Sequence, residues 1–173
     1  MSRTFVIYRL VVSFVLVGSY FLLPKYGFTF HGPLINHFLY PLSHANIWHL
    51  AANVLCLWML RCPPHIIATS VIGVLCSILP CPQLPLWGMS VTDPTMGFSG
   101  VLFAMVGISW GKIRRFKDMI VRNKWILIIH AFIPHINFLI HIYCLMAGYA
   151  YGALTNPTHP IIPTHATRNK RTY

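Results

Sequence analysis

Apolar and polar positions fall along this chain in long blocks rather than in alternation. Apolar runs cover residues 5–23, 46–61, 65–79, 97–111, 125–134 and 138–154, with short polar or proline-bearing stretches between them. Blocks of this kind predict helices that cross a bilayer, which takes about 20 residues each. The first run, Phe5 to Leu23, closes at Pro24, and the third closes at Pro80. A proline cannot continue a helix without losing a hydrogen bond. The second run stops at Arg61, ahead of Pro63-Pro64, and Pro134 divides the fifth from the sixth. Several runs are shorter than a usual span, as expected where the bilayer thins or a helix starts below the surface. The first run is long for the apolar core of a secretory signal, and no small-residue cleavage site follows it. Arg9, one turn inside that run, is expected to snorkel to the nearby interface.

Composition turns these runs from candidate core into candidate membrane. Of 173 residues, 56% are hydrophobic and 9% charged, where soluble chains carry about 25% charged residues. The expected fold class is an all-α polytopic membrane protein with six transmembrane helices. Residues 1–154 form the membrane domain and 155–173 a short basic tail. The 13 Lys and Arg residues face only two acids, Asp93 and Asp118, and there is no Glu. With the N-terminus inside, the inner loops hold Arg3, Arg61, Lys112, Arg114, Arg115, Lys117, Arg122 and Lys124, and the inner tail holds Arg168, Lys170 and Arg171. The outer loops hold Lys25 alone, and Arg9 belongs to the first run. Both termini are therefore expected inside. The cluster from Lys112 to Lys124 reads as part of that orientation signal, so no nucleic-acid partner is expected, only the lipid bilayer.

The same composition removes chemistry. An H-E-x-x-H zinc protease needs a Glu. A two-aspartate intramembrane protease needs both acids in apolar runs, and Asp93 and Asp118 lie in polar surroundings. Cys56, Cys62, Cys76, Cys81 and Cys144 show no paired zinc spacing and read as small hydrophobes in or beside apolar segments. No metal and no organic cofactor is implied.

Polar side chains inside apolar runs are costly and so informative. His49 and Asn53, in Ser43-His44-Ala45-Asn46-Ile47-Trp48-His49-Leu50-Ala51-Ala52-Asn53, share one helical face at i, i+4. Alone, they read as a structural pair bonding between helices. Gly97-Phe98-Ser99-Gly100 opens the fourth run, placing Ser99 near a helix N-terminus, where backbone N–H groups favour an anion. Alone, that string reads as packing glycines. His141 lies about one turn into the sixth run, seven residues before Gly148, with His130 and His135 as rivals. Gly100, Ala104, Gly107 and Gly111 form a small-residue stripe on the fourth run, and Gly148 and Gly152 form another on the sixth. If these faces meet, Ser99 and His141 approach as a nucleophile and base, with His49 and Asn53 as oxyanion donors from a third helix.

With these residues in their order, the sequence resembles the rhomboid family of intramembrane serine proteases. The resemblance rests on Ser43-His44 with His49 and Asn53, on Gly97-Phe98-Ser99-Gly100, and on His141 with Gly148, and it covers about residues 5–154. It implies a rhomboid-like bundle in which Ser99 is the nucleophile and His141 its base, a dyad without a carboxylate, while His49 and Asn53 bind the oxyanion. His44, Gly97, Gly100, Gly148 and Phe103 support the motif. Phe103 stands where the family commonly has an aromatic, four residues past the serine. The family's usual Trp-Arg pair in the first loop is absent, and Ile140, Ile142 and Tyr143 around His141 are bulkier than usual. His135 is the alternative base, although seven residues beyond it stands Ile142 rather than a glycine.

The resemblance implies hydrolysis of peptide bonds in or next to transmembrane segments of single-pass or polytopic membrane proteins. It places the chain as a multi-pass protein of a bacterial plasma membrane. The alternative is a catalytically inactive relative that binds and escorts membrane proteins. A histidine-lined transporter fits less well, since ion-coupled transport commonly uses membrane carboxylates and the apolar runs contain none.

Overall fold

The computed structural model describes residues 3–60, 65–80, 93–113, 116–121, 124, 128 and 136–156. Among these, regular structure is helical, and the one β contact is an isolated antiparallel bridge between Phe28 and Thr95. Helix α1 spans Arg3–Leu22. A short α2 (Leu34–Leu39) runs into a 3-10 turn at Tyr40–Leu42. Then come α3 (Ile47–Met59), α4 (Ile66–Ile78), α5 (Ser99–Lys112) and α6 (Phe138–Thr155). Residues 116–121, 124 and 128 are also helical. Most of the fifth expected run lies outside the described residues. Helix nevertheless covers 116–121, where the density of basic residues had suggested a loop.

Two helices, α1 with 20 residues and α6 with 18, are long and apolar enough to cross a membrane. Helices α3 and α4 are apolar but have 13 residues each, or about 20 Å at 1.5 Å per residue, against about 30 Å of hydrocarbon. The outer surface is apolar on several sides, with Phe14, Phe21 and Leu22 of α1, Trp48 of α3, Ile67 of α4 and Leu154 of α6 all exposed. Contiguous exposure on that scale suits lipid rather than water.

Helix α5 is the common wall of two cores. On one side Val101, Leu102 and Met105, with Phe98, pack against Val12 and Leu16 of α1 and Leu50 and Leu57 of α3. On the other, Ala104 and Ile108 meet Ile72 and Cys76 of α4, Ile140 and Cys144 of α6, and Phe28 and Tyr40 from the loop after α1. A helix buried on both faces needs thin side chains where its neighbours come closest, and the two stripes of small residues supply them. A Cβ at Gly107 would strike the Leu145 carbonyl, and one at Gly111 the Tyr149 carbonyl. In return, Gly148 and Gly152 abut the carbonyls of Ala104 and Ile108. In lipid, such backbone contact replaces the hydrophobic drive that joins helices in water.

Polar links close the bundle at its ends. Arg9 does not snorkel: it is 2% exposed, donates to the Leu60 carbonyl at the end of α3, and lays its guanidinium 3.9 Å from the Phe5 ring centroid. Local sequence could not reveal that an uncapped carbonyl from another helix would be within reach. At the far end of α5, Lys112 Nζ lies 2.6 Å from His65 Nε2, and Asn156 Nδ2 donates to the Lys112 carbonyl at 3.0 Å. The loop between α1 and α3 is pinned throughout. Tyr26 N–H donates to Ser43 Oγ, Lys25 Nζ to the Ala45 carbonyl, and Asn36 Nδ2 to the Gly27 carbonyl.

Candidate active site

Ser99 is the first residue of α5 and is half-buried, with Phe98 at the N-cap and no side chain capping the helix. A serine in the first turn has no helical carbonyl behind it to take its proton, so its hydroxyl is available to another element. That element is α6. Ser99 Oγ lies 2.7 Å from His141 Nε2, and His141 is 2% exposed. When the hydroxyl donates to Nε2, the ring proton sits on Nδ1. The Phe103 ring, one turn along α5 from Ser99, stacks on the imidazole with centroids 4.5 Å apart and planes 14° from parallel.

The two residues of α3 reach the same place through Gly97. This glycine has φ +122°, a conformation that side chains disfavour, and its N–H donates to the Tyr40 carbonyl at 2.9 Å. A Cβ there would lie 2.8 Å from His49 Nε2 and 3.6 Å from Asn53 Nδ2. The backbone just ahead of Ser99 is thus pressed onto the His49 ring beside the Asn53 amide. Asn46 caps α3 by accepting from His49 N–H at 2.9 Å, and Asn53 Nδ2 donates to the His49 carbonyl at 3.0 Å. One N–H of Asn53 is therefore engaged within its own helix, and its second donor is left for other use.

His44 lies behind His49, fully buried, with ring centroids 5.3 Å apart at 71°. A backbone group of Leu42 faces its ring without reaching hydrogen-bond geometry. Burial, then the neighbouring His49, push its pKa down to about 4, with Leu42 acting weakly the other way. His44 is therefore neutral at ordinary pH. Gly100 borders Tyr40 Oη and Cys144 Sγ, and Gly148 lies against the Ala104 backbone, fixing the depth of α6 beside α5.

The structure thus brings together Ser99, His141, Phe103, Gly97, Gly100, His49, Asn53 and His44, with Gly148 two turns down α6. The rivals His130 and His135 lie outside the described residues. Sequence reasoning passed over Tyr40, Thr95 and Asn137. Tyr40 holds Gly97 through its carbonyl and donates its hydroxyl to the Gly73 carbonyl at 3.1 Å. Asn137 caps α6, its Oδ1 accepting from Leu139 and Ile140 N–H, and its amide donates to Thr95 Oγ1. An Asn directly before an apolar run is a readable cap signal. Nothing local marks Tyr40 or Thr95.

The family model for the Rhomboid domain matches residues 31–157. The chain belongs to the rhomboid family. The matched stretch runs from α2 through α6 and contains every residue of the cluster, while α1 precedes it. No match is found among curated proteins. Rhomboids are membrane-embedded and typically serine proteases, and a hydroxyl paired with an imidazole offers the nucleophile and the base that acyl transfer needs. Among the described residues, no group of His, Cys, Asp and Glu could hold a metal ion.

Proposed function

We propose that this rhomboid is an intramembrane serine endopeptidase that cleaves peptide bonds in or next to transmembrane segments of single-pass or polytopic membrane proteins. The observation that carries the reading is the 2.7 Å contact between Ser99 Oγ and His141 Nε2 at the head of α5. Ser99 attacks the scissile carbonyl as its proton passes to His141. His141 then delivers that proton to the leaving amine, leaving an acyl ester on Ser99. Water attacks the ester with His141 again as base, releasing the acid and restoring the serine. The oxyanion is bound by the Ser99 backbone N–H, His49 and the second N–H of Asn53, each donor worth about 3–4 kcal/mol in the transition state. Phe103 holds the imidazole flat against α5.

The distribution of Lys and Arg supports six crossings with both termini inside. In this reading residues 1–154 form the protease domain, 155–173 an inner tail, and the site opens toward the outer face of a bacterial plasma membrane. Cleavage then releases an external fragment. The test is covalent labelling of the detergent-solubilised protein by a fluorophosphonate, paired with cleavage of a co-reconstituted single-pass substrate. Labelling and cleavage are expected in the wild type and absent in Ser99→Ala. A folded wild type that neither labels nor cleaves would favour an inactive escort of membrane proteins instead.

A further inference from the structure

We propose that Asn137 and Thr95 are a pair of positioning residues that set the reach of His141 toward Ser99; the inference rests on the hydrolase reading above. Asn137 stands four residues before His141, and Thr95 four before Ser99. Asn137 Nδ2 donates to Thr95 Oγ1 at 2.9 Å, and both side chains are buried. The gap between α5 and α6 is therefore crossed twice: by Ser99–His141, and by Thr95–Asn137, whose Asn137 end lies about 6 Å farther up α6 at 1.5 Å per residue.

Each end of the upper link is tied to something rigid. Asn137 is the cap of α6, so its side chain holds the first turn of the helix that carries His141. Thr95 exchanges both backbone hydrogen bonds with Phe28, N–H to carbonyl at 2.9 Å each way. Phe28 in turn packs its ring edge-on against Tyr40, with centroids 4.8 Å apart, and the Tyr40 carbonyl accepts from Gly97 N–H. The glycine contacts lower down, from Gly148 on Ala104 to Gly111 on Tyr149, fix the bodies of the two helices, and nearer the heads Gly100 lies against Ile140 and Cys144. The Asn137–Thr95 bond closes those heads. His141 is thus bracketed between a polar link above and backbone contact below, and its Nε2 has one reach to Ser99.

The design that isolates this bond uses Thr95→Val, which keeps the shape and the Phe28 bridge but removes the hydroxyl. Thr95→Ser restores the hydroxyl. Because Thr95→Val leaves a buried amide without that acceptor, a fall in melting temperature is expected by itself. Ser77→Ala, which removes a side-chain hydrogen bond to His37 away from the site, serves as a control for lost stability. Substrate cleavage and fluorophosphonate labelling are measured well below every melting temperature. Misplacing a base by about 1 Å can cost up to a hundredfold, so Thr95→Val is expected to lower kcat and the labelling rate by about tenfold, with KM little changed. Thr95→Ser should recover most of both, and Ser77→Ala should lose neither. A Thr95→Val protein with wild-type kcat, or a loss that Thr95→Ser fails to rescue or Ser77→Ala reproduces, overturns the positioning role alone. A wild type that neither labels nor cleaves removes the hydrolase reading, and this inference with it.

Discussion

The molecule contains two serine–histidine contacts, and comparing them shows what makes one of them a candidate for chemistry. Ser99 meets His141 at 2.7 Å, and His37 Nδ1 meets Ser77 Oγ at 3.0 Å. By distance alone they are near equals. They differ in where each serine sits on its helix. Ser77 is in the last turn of α4 and donates to the Val74 carbonyl, three residues back, at 2.7 Å. With that proton committed, His37 Nδ1 is the donor in the second pair, and no base faces the Ser77 hydroxyl. Ser99 opens α5, has no turn behind it, and points its hydroxyl at a nitrogen. Ser77 is fully buried and joins α2 to α4, whereas Ser99 is half-buried, with Gly97 and Gly100 flanking it in the chain. Position in the helix, rather than proximity, separates a candidate nucleophile from a strut.

The widest separation between the pairs should come from deleting each histidine. His141→Ala is expected to cut substrate cleavage by at least about a thousandfold while the protein remains folded, as loss of a base does in serine hydrolases generally. His37→Ala should leave kcat near wild type and lower the melting temperature, because it unpins the loop helix α2. Cleavage assays and thermal melts on the same preparations check both. Equal activity losses in the two variants would mean that proximity, not helix position, is what matters here.

A second, smaller contrast concerns donors. The Ser99–His141 pair has His49 and Asn53 beside it through Gly97, whereas Ser77 bonds only His37 and the Val74 carbonyl among the described residues. His49→Ala is expected to lower kcat by about a hundredfold, with fluorophosphonate labelling slowed in parallel, since the phosphonyl oxygen develops negative charge beside the same donors. A kcat loss without slower labelling would place His49 in substrate binding instead of oxyanion stabilisation.

The candidate catalytic pair was far more legible in the sequence than the structural one, for physical reasons. Ser99, His141, His49 and Asn53 are polar side chains inside long apolar runs, where each is conspicuous and helical spacing assigns its face. The small-residue stripes on the fourth and sixth runs carried the packing of α5 on α6, because in lipid small residues are where backbones touch. The loop after α1 gave no such signal. Helix α2 has six residues, too few for periodicity, and it exposes Leu34, Ile35 and Phe38 while burying His37. Its pairing with Ser77 spans 40 positions, and Thr95 with Asn137 spans 42. Arg9 was legible as a charge in a helix but not as a cap for α3, since its partner carbonyl comes from Leu60. Residues 116–121 carry Lys117 and Asp118 and so looked like a loop, yet they are helical.

The two imidazoles also differ in the ring each one meets. Both imidazoles touch an aromatic ring, but Phe103 lies parallel to His141 at 4.5 Å, whereas Phe28 is tilted 31° to His37 at 5.1 Å. A stacked ring restrains rotation of the imidazole plane. Such aromatic pairs are worth about 0.5–1.5 kcal/mol, so Phe103→Leu is expected to lower kcat by less than about tenfold. Steady-state kinetics on the folded variant measure this, and an unchanged kcat would show that Asn137 and the glycine contacts hold His141 without it.

The smallest expected effect comes from a third histidine. His37 is buried with a serine to bond to, and His44 is buried against His49 with no side chain bonded to either ring nitrogen. Burial and His49 hold the His44 pKa near 4, against about 6.5 in an unfolded chain. Between these values the unfolded state binds more protons than the folded one, so stability must fall as pH drops from 6.5 toward 4. The contribution is fully present above pH 6.5 and lost once the pH is below 4. Other histidines titrate in the same range, so the quantity to measure is a difference. In thermal melts in detergent from pH 7.5 to 4.5, wild type should lose melting temperature relative to His44→Phe on acidification, because phenylalanine keeps the ring against His49 and carries no titratable nitrogen. Parallel curves would mean that His44 takes up its proton as readily folded as unfolded, and that the ring is less enclosed than its contacts with His49 imply.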